Sequence, residues 1–357
     1  MSQYQILEAK TLHKRSKIHR APLLWNILRG DIRLVGTRLL RIDDAIAADQ
    51  EKSQFAVKPG LFSLFELRRI SGLEFIDEKT CNTEFAQNGG LKQRVAIVIK
   101  SLLAGMLYGN TKDLRNTPTF KVFGVEINNV TMNDALATIA DSITKRAQKT
   151  VFFANAHTLN LAYENANFRE LLNKVDYLLP DGSGIEVACR HAGIRRKGNI
   201  NGTDMLPLLC EQLAASGKSI YMLGGEEGIA KSAMANMKKR YPALRVAGTK
   251  NGFFDKNSCA DVVADINQSQ ADIVLVGMGQ PLQEQWVAEY RDQLETPVVM
   301  AVGGLFDFYA EKVSRAPLWL RELGMEWTWR LIQEPGRMWK RYIIGNPLFL
   351  IRLRRST

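Results

Sequence analysis

Between residues 150 and 304, short and almost wholly apolar runs alternate with stretches whose apolar residues recur at helical spacing. The runs are TVFFAN (150–155), DYLLP (176–180), SIYMLGG (219–225), LRVAG (244–248), DIVLVGMG (272–279) and VVMAVGG (298–304). A strand that is apolar on both faces must be covered on both faces. The intervening segments, such as LNLAYENANFRELLNKV (159–175) and EGIAKSAMANMKKRY (227–241), supply that cover as helices. The pattern predicts right-handed βαβ units and an α/β fold: a Rossmann-like parallel sheet with helices on both faces. Ligands of such sheets sit beyond the carboxyl ends of the strands, where several of these runs close on glycine.

The first hundred residues show no such alternation, and a polar stretch, GNTKDLRNTP (109–118), separates them from the sheet. We expect a small, mainly helical module over 1–112, the α/β core over 113–315 and a basic helical tail over 316–357. A length of 357 residues with 46% hydrophobic and 24% charged side chains excludes disorder and coiled-coil rods. Four widely spaced cysteines (Cys81, Cys189, Cys210, Cys259) without a CxxC indicate neither a disulfide framework nor a zinc ribbon. The opening MSQYQILEAK lacks a basic-then-apolar leader, so a cytosolic protein is expected. The longest apolar stretches, 95–109 (interrupted by Lys100) and 342–351, fall short of the roughly 20 residues a span needs. Each suits either a bilayer interface or a core.

The net charge of +11 is uneven. Residues 1–41 carry 9 Lys and Arg against 2 Asp and Glu, and residues 312–357 carry 10 against 3, which leaves the middle slightly acidic. Nucleic-acid binding is therefore not expected, since it rests on net charge alone. Basic ends suit an anionic partner. In the tail, Trp319, Trp327, Trp329 and Trp339 mix with Arg321, Arg330, Arg337, Lys340 and Arg341. That mixture fits the headgroup level of a membrane, or an amphipathic helix with its tryptophans packed inward.

Three stretches can carry chemistry. LLPDGSG (178–184) sets Asp181 directly after a buried strand and before a helix, where a carboxylate suits a general base; Pro-Asp-Gly is equally a turn with a capping Asp. FFANAHTLNLA (152–162) places Asn155, His157 and Thr158 at a strand-to-helix transition, as ligand groups or as a helix cap. VGMGQPLQEQW (276–286) brings glycines followed by Gln280, Gln283 and Glu284, groups able to grip sugar or ribose hydroxyls. Neither a P-loop nor GxGxxG is present, and no Asp-x-Asp pair or metal-spaced cluster is found, so no metal and no cofactor are expected.

Together with FGVEINNVT, NGTDM, YMLGG, VGGLFDFYA and EWTWRLIQEPGRMWKRY, these stretches resemble the WecG/TagA/CpsF glycosyltransferases, family 26, from about residue 120 to 342. The resemblance implies an inverting, metal-independent transfer from a UDP-sugar to a sugar on a polyprenyl-diphosphate carrier. It implies Asp181 as base, Asn155 as the pocket asparagine, and Gln283 and Glu284 at the nucleotide or sugar site. Arg330, Arg337, Lys340 and Arg341 fall in the segment for diphosphate and membrane contact, assisted by backbone amides near Gly224, Gly225 and Gly279. Members often carry threonine where this chain has Phe153, with Thr158 as the candidate substitute.

LLWNILRGDIRLVGTRLL (23–40) and VKPGLFSL (57–64) in turn resemble the closing part of a bacterial polyprenyl-phosphate sugar-phosphate transferase. Its upstream membrane helix and catalytic acidic pair have no counterpart, which implies a truncated, non-catalytic module that binds carrier-lipid phosphate, docks a partner or extends the structure. The expectation is a bacterial surface- or exopolysaccharide glycosyltransferase, peripheral at the inner face of the cell membrane. Its expected partners are a UDP-sugar, a polyprenyl-diphosphate-linked acceptor and an anionic membrane surface, with homo-oligomers or other polysaccharide-assembly enzymes compatible. The rival is a non-catalytic, membrane-associated scaffold that binds a nucleotide-sugar.

Overall fold

A computed structural model of the chain describes residues 21–39, 58–71, 73, 77–108, 114–256 and 258–356. The basic first twenty residues, Val57 and the boundary placed at Lys112 lie outside them. The chain forms two compact units, Met1–Leu114 with Leu318–Met325, and Arg115–Pro317 with Glu326–Thr357. The boundaries run through the tail, whose first part belongs to the amino-terminal unit.

That unit is mainly helical, as expected, with helices Ala21–Leu28, Leu64–Ile70, Glu78–Asn88 and Leu91–Tyr108. They surround a two-stranded parallel ribbon of β1 (Arg33–Val35) and β2 (Gly60–Phe62). Gly36 and Gly60 let the two backbones cross, because a Cβ on Gly60 would lie 2.1 Å from the Gly36 nitrogen. Val35, Leu64, Cys81, Phe85 and Ile97 form its core. Beside them Arg68, 1% exposed, pairs with Glu84 at 2.7 Å and with Glu322 at 3.1 Å, while Lys100 reaches Glu322 at 2.6 Å. Arg68 lies 254 residues before Glu322, so this ion cluster folds the segment 318–325 into the amino-terminal unit.

The second unit opens with an antiparallel hairpin, β3 (Thr119–Val122) and β4 (Val125–Asn128). Six strands follow: β5 (Lys149–Ala154), β6 (Tyr177–Pro180), β7 (Ser219–Gly224), β8 (Arg245–Lys250), β9 (Ile273–Gly277) and β10 (Val298–Ala301). They build one parallel sheet in the order β6-β5-β10-β9-β7-β8. Alternation of side chains along each strand divides the core in two. Phe152, Leu178, Tyr221, Val274 and Val299 enter one buried cluster, and Phe153, Leu179, Met222, Leu275 and Met300 enter the other. Each such side chain contributes about 1.5–3 kcal/mol on burial, so helices are held on both faces. The predicted helix over 159–175 is two helices, Ala156–Glu164 and Ala166–Lys174, because Asn165 ends the first and caps the second.

The connection leaving β7 runs outward to β8, whereas that leaving β9 returns inward to β10. Such a reversal is where doubly wound sheets receive their ligands. Residues 326–356 fold as helices Glu326–Gln333, Pro335–Trp339 and Gly345–Arg355, with a π turn at Lys340–Ile344. The last helix docks on Ala156–Glu164: Asn160 donates to the Gly345 carbonyl at 2.8 Å, Arg352 pairs with Glu164 at 2.5 Å, and Phe349 is buried. This docking returns the basic tail to the strand ends.

Candidate active site

Asp181 follows the last residue of β6, and its N–H donates to the Ala154 carbonyl of the neighbouring strand at 2.8 Å. The turn is fixed from the far side as well. Gly182, at φ 85°, donates to Asn199 Oδ1 at 2.7 Å, and Arg196 Nη1 donates to the Gly182 carbonyl at 2.9 Å while its Nε pairs with Glu186 at 3.0 Å. A glycine suits this position because L side chains rarely adopt that φ. Asp181 is half-buried. Burial pushes its carboxyl up to about 6, opposed by Arg341, by a hydrogen bond from the Asn155 side chain and by Arg196, and assisted by Glu326.

Asn155 follows β5 and caps Ala156–Glu164, its Oδ1 accepting from the His157 and Thr158 N–H groups at 3.0 and 3.1 Å. The cap therefore aims the remaining amide of Asn155 at Asp181. His157, half-buried, has its imidazole pushed down to about 4 by burial and by Arg341, so it is neutral near pH 7. Thr158 is fully buried; its hydroxyl lies 3.0 Å from Gln280 Oε1, and Gln280 Nε2 donates to the Phe153 carbonyl and to Glu284 Oε1 at 3.3 Å each.

The network continues under the glycine loops. Gln283 donates to Glu284 Oε1 at 2.8 Å, and its Oε1 accepts from the Gly279 and Gly303 N–H groups at 3.2 and 2.9 Å. Gln283 and Glu284, 1% and 0% exposed, thus tie the ends of β9 and β10 together from beneath rather than opening toward the crevice. Burial pushes the Glu284 carboxyl up to about 7, and among the described residues its Oε2 has no hydrogen-bond partner. Gly225 donates to the Gly277 carbonyl at 2.9 Å, so the amides of Gly225 and Gly279 are already engaged within the protein. Gly224 serves strand packing, since a Cβ there would lie 2.2 Å from the Gly277 oxygen. Thr158, Gln283, Glu284, Gly224, Gly225 and the Gly279 amide, expected from the sequence as ligand contacts, are placed as framework.

The tail divides in the same manner. Arg330 is buried, pairing with Asp307 at 3.2 Å and Glu334 at 2.5 Å and lying 4.7 Å from the Phe308 ring centre. Arg337 is more than half exposed and shares Asp307 (3.5 Å) and Glu334 (3.2 Å). Lys340 is exposed. Arg341 is half-buried, and its charge acts on Asp181, His157 and Glu284 together. Among the described residues it pairs with no carboxylate; its guanidinium lies over the Tyr342 ring at 5.4 Å. The tryptophans split, too. Trp327 packs against Tyr342 with the rings tilted and their centres 5.7 Å apart, and Trp329 donates to Ser314 Oγ at 3.2 Å, whereas Trp319 and Trp339 are exposed.

Sequence reasoning missed Arg196, Asn199 and Asp307. Arg196 belongs to the run RRK, which reads as a solvated patch, and Asn199 to a segment that reads as a turn. Asp307 lies in VGGLFDFYA, where a single acid in an apolar run was the available signal. The described residues hold no group of three His, Cys, Asp or Glu placed for a metal ion, and none of their helices is long and apolar enough to cross a membrane.

Comparison with known proteins adds the family. Residues 120–357 match the glycosyl transferase WecG/TagA/CpsF family, and residues 4–107 match bacterial sugar transferases. N-acetylglucosaminyldiphosphoundecaprenol N-acetyl-beta-D-mannosaminyltransferases of Staphylococcus aureus strains MW2 and NCTC 8325 / PS 47 are each 27% identical over 247 residues. The matched stretch is 68% of this chain and 94% of theirs. With the match running through both the sheet and the docked tail, the chain belongs to the WecG/TagA/CpsF glycosyltransferase family.

Proposed function

We propose that the chain transfers a sugar from a UDP-sugar, with inversion, to a polyprenyl-diphosphate-linked saccharide in bacterial surface- or exopolysaccharide synthesis, at the cytoplasmic face of the membrane. The observation that carries this reading is that a half-buried carboxylate, Asp181, at the carboxyl ends of the sheet lies within the influence of the Arg341 guanidinium, which pairs with no carboxylate among the described residues. The staphylococcal relatives, named for transfer to a diphosphoundecaprenol-linked sugar, support the acceptor class.

Asp181 accepts the proton of the acceptor hydroxyl as that oxygen attacks the anomeric carbon. The new bond forms on the face opposite the bond to the β-phosphate oxygen, which breaks and releases UDP. With a carboxyl near 6, the base is ionised at neutral pH yet retains proton affinity. The Gly225 and Gly279 amides are engaged, so the charge on the leaving diphosphate falls to Arg341, with Arg337 and Lys340 within the same basic segment. Asn155 orients Asp181; Thr158, Gln280, Gln283 and Glu284 hold the loops in register; His157 contributes a neutral ring. The exposed Trp339, Ile343, Ile344, Leu350 and Ile351 give the tail an apolar surface suited to the bilayer that carries the acceptor.

The test is incubation of the full chain with a panel of radiolabelled UDP-sugars and a lipid-diphosphate-linked amino sugar. One donor should label the lipid and release UDP stoichiometrically, with the anomeric configuration inverted. Retained configuration, or no transfer from any donor that raises the melting temperature, would remove the reading.

A further inference from the structure

The helix Leu91–Tyr108 carries five large apolar side chains on one side: Leu91, Val95, Ile99, Leu102 and Leu103. At 100° per residue they fall within an arc of about 120°. Leu91 is 78% exposed and Ile99 52%, while Ile97 and Ala104, on the opposite side, are buried in the amino-terminal unit. The helix is therefore amphipathic in an inverted sense, holding its unit with one apolar side and presenting another to the outside. A contiguous exposed stripe of this kind marks an interaction surface.

Charge identifies the partner. No acidic residue occurs between Glu84 and Asp113, whereas Lys92, Arg94, Lys100 and Lys112 do. Lys92, exposed, lies on the apolar side of the helix; Arg94, at its flank, donates to the Gly89 carbonyl at 2.7 Å and lies over the Phe85 ring, while Lys100 turns the other way to Glu322. An apolar stripe that carries an exposed lysine and no acid complements anionic headgroups over acyl chains. The 18 residues of the helix measure roughly 27 Å, a length that lies along a membrane surface. Leu318 and Trp319 of the same unit are exposed as well.

We propose that this helix face is a bilayer-contact surface of the amino-terminal unit, lying in the interface of an anionic membrane independently of the tail. The inference rests on the unit's own surface and does not require the transfer reaction.

The test is vesicle flotation of the full chain with phosphatidylcholine vesicles, with and without phosphatidylglycerol. Ile99→Glu/Leu102→Glu, placed at the middle of the exposed side, should lower partitioning onto the anionic vesicles by about tenfold with unchanged far-ultraviolet circular dichroism. Val95→Trp, which keeps the surface apolar, should be quenched by brominated lipid and so decides the matter if the double variant fails to fold. Unchanged partitioning together with an unquenched tryptophan would overturn the proposal. So would a wild-type dimer that the double variant dissociates without change in vesicle binding, since the face would then join two copies. The assay contains no sugar substrate, so its failure leaves the transfer reading intact, and vesicle binding without any transfer would do the reverse.

Discussion

Arg341→Gln removes the cation that acts on three groups of the site at once while keeping a polar, though shorter, side chain. A unit pair about 5 Å apart is worth roughly 3 kcal/mol at an effective dielectric near 20. Because Arg341 is half-buried, water screens part of this, and about 1.5–3 kcal/mol is the reasonable loss of transition-state stabilisation. That corresponds to a fall in kcat of roughly tenfold to one hundredfold. A second consequence separates an electrostatic role from a structural one. Arg341 opposes the effect of burial on Asp181, so its removal raises the Asp181 pKa above its present value of about 6. In the proposed mechanism transfer requires the ionised carboxylate, so the acid limb of the kcat/KM profile should move to higher pH. The assay is UDP release across pH 5 to 9, with circular dichroism as a check on folding. A loss of rate with the limb unmoved would show that Arg341 does not act on Asp181, and an unchanged rate would refute the assignment of the leaving diphosphate to it.

Asn199→Ala deletes the acceptor for the Gly182 N–H at 2.7 Å, and should cost about 1–2 kcal/mol in chemical denaturation while lowering kcat more than it raises KM. Glu322→Ala leaves Arg68, 1% exposed, with Glu84 as its one carboxylate among the described residues, and should destabilise the amino-terminal unit by roughly 3 kcal/mol, seen as rapid proteolysis of that unit with the sheet intact. Glu284 has a raised folded-state pKa, so its favourable contribution is complete below the unfolded value near 4.5 and is lost as pH rises toward about 7. Glu284→Gln should therefore gain in melting temperature over the wild type between those pH values and hold a constant lead above them.

The sheet was legible because five of its strands are buried and have no polar face to disguise them; all six apolar runs are strands, although β8, at the sheet edge, is exposed or half-buried along its length rather than buried as its run suggests. The place of Asp181 was legible for a related reason, since a charged residue directly after such a strand has few positions to occupy. The hairpin of β3 and β4 was not read: its turn is Phe123-Gly124 with both φ positive, and only the glycine announces it. Which polar residues face the crevice was also hidden. Spacing places Gln283 and Glu284 at a helix start, but their burial depends on glycine loops from two strands meeting above them. In the tail, Arg330 and Arg341 look alike in sequence; a buried Asp307 captures one, whereas the other pairs with no carboxylate among the described residues. The capture of residues 318–325 by Arg68 depends on a pairing across more than two hundred residues, which leaves no local trace.

The claim on which the account turns is that a single carboxylate removes the acceptor proton. Asp181→Asn keeps the size of the side chain and its place in the turn, so UDP binding should survive. Measured at saturating donor and lipid acceptor, turnover should fall by roughly two to four orders of magnitude; turnover within a few-fold of the wild type, with UDP still bound, would contradict the mechanism.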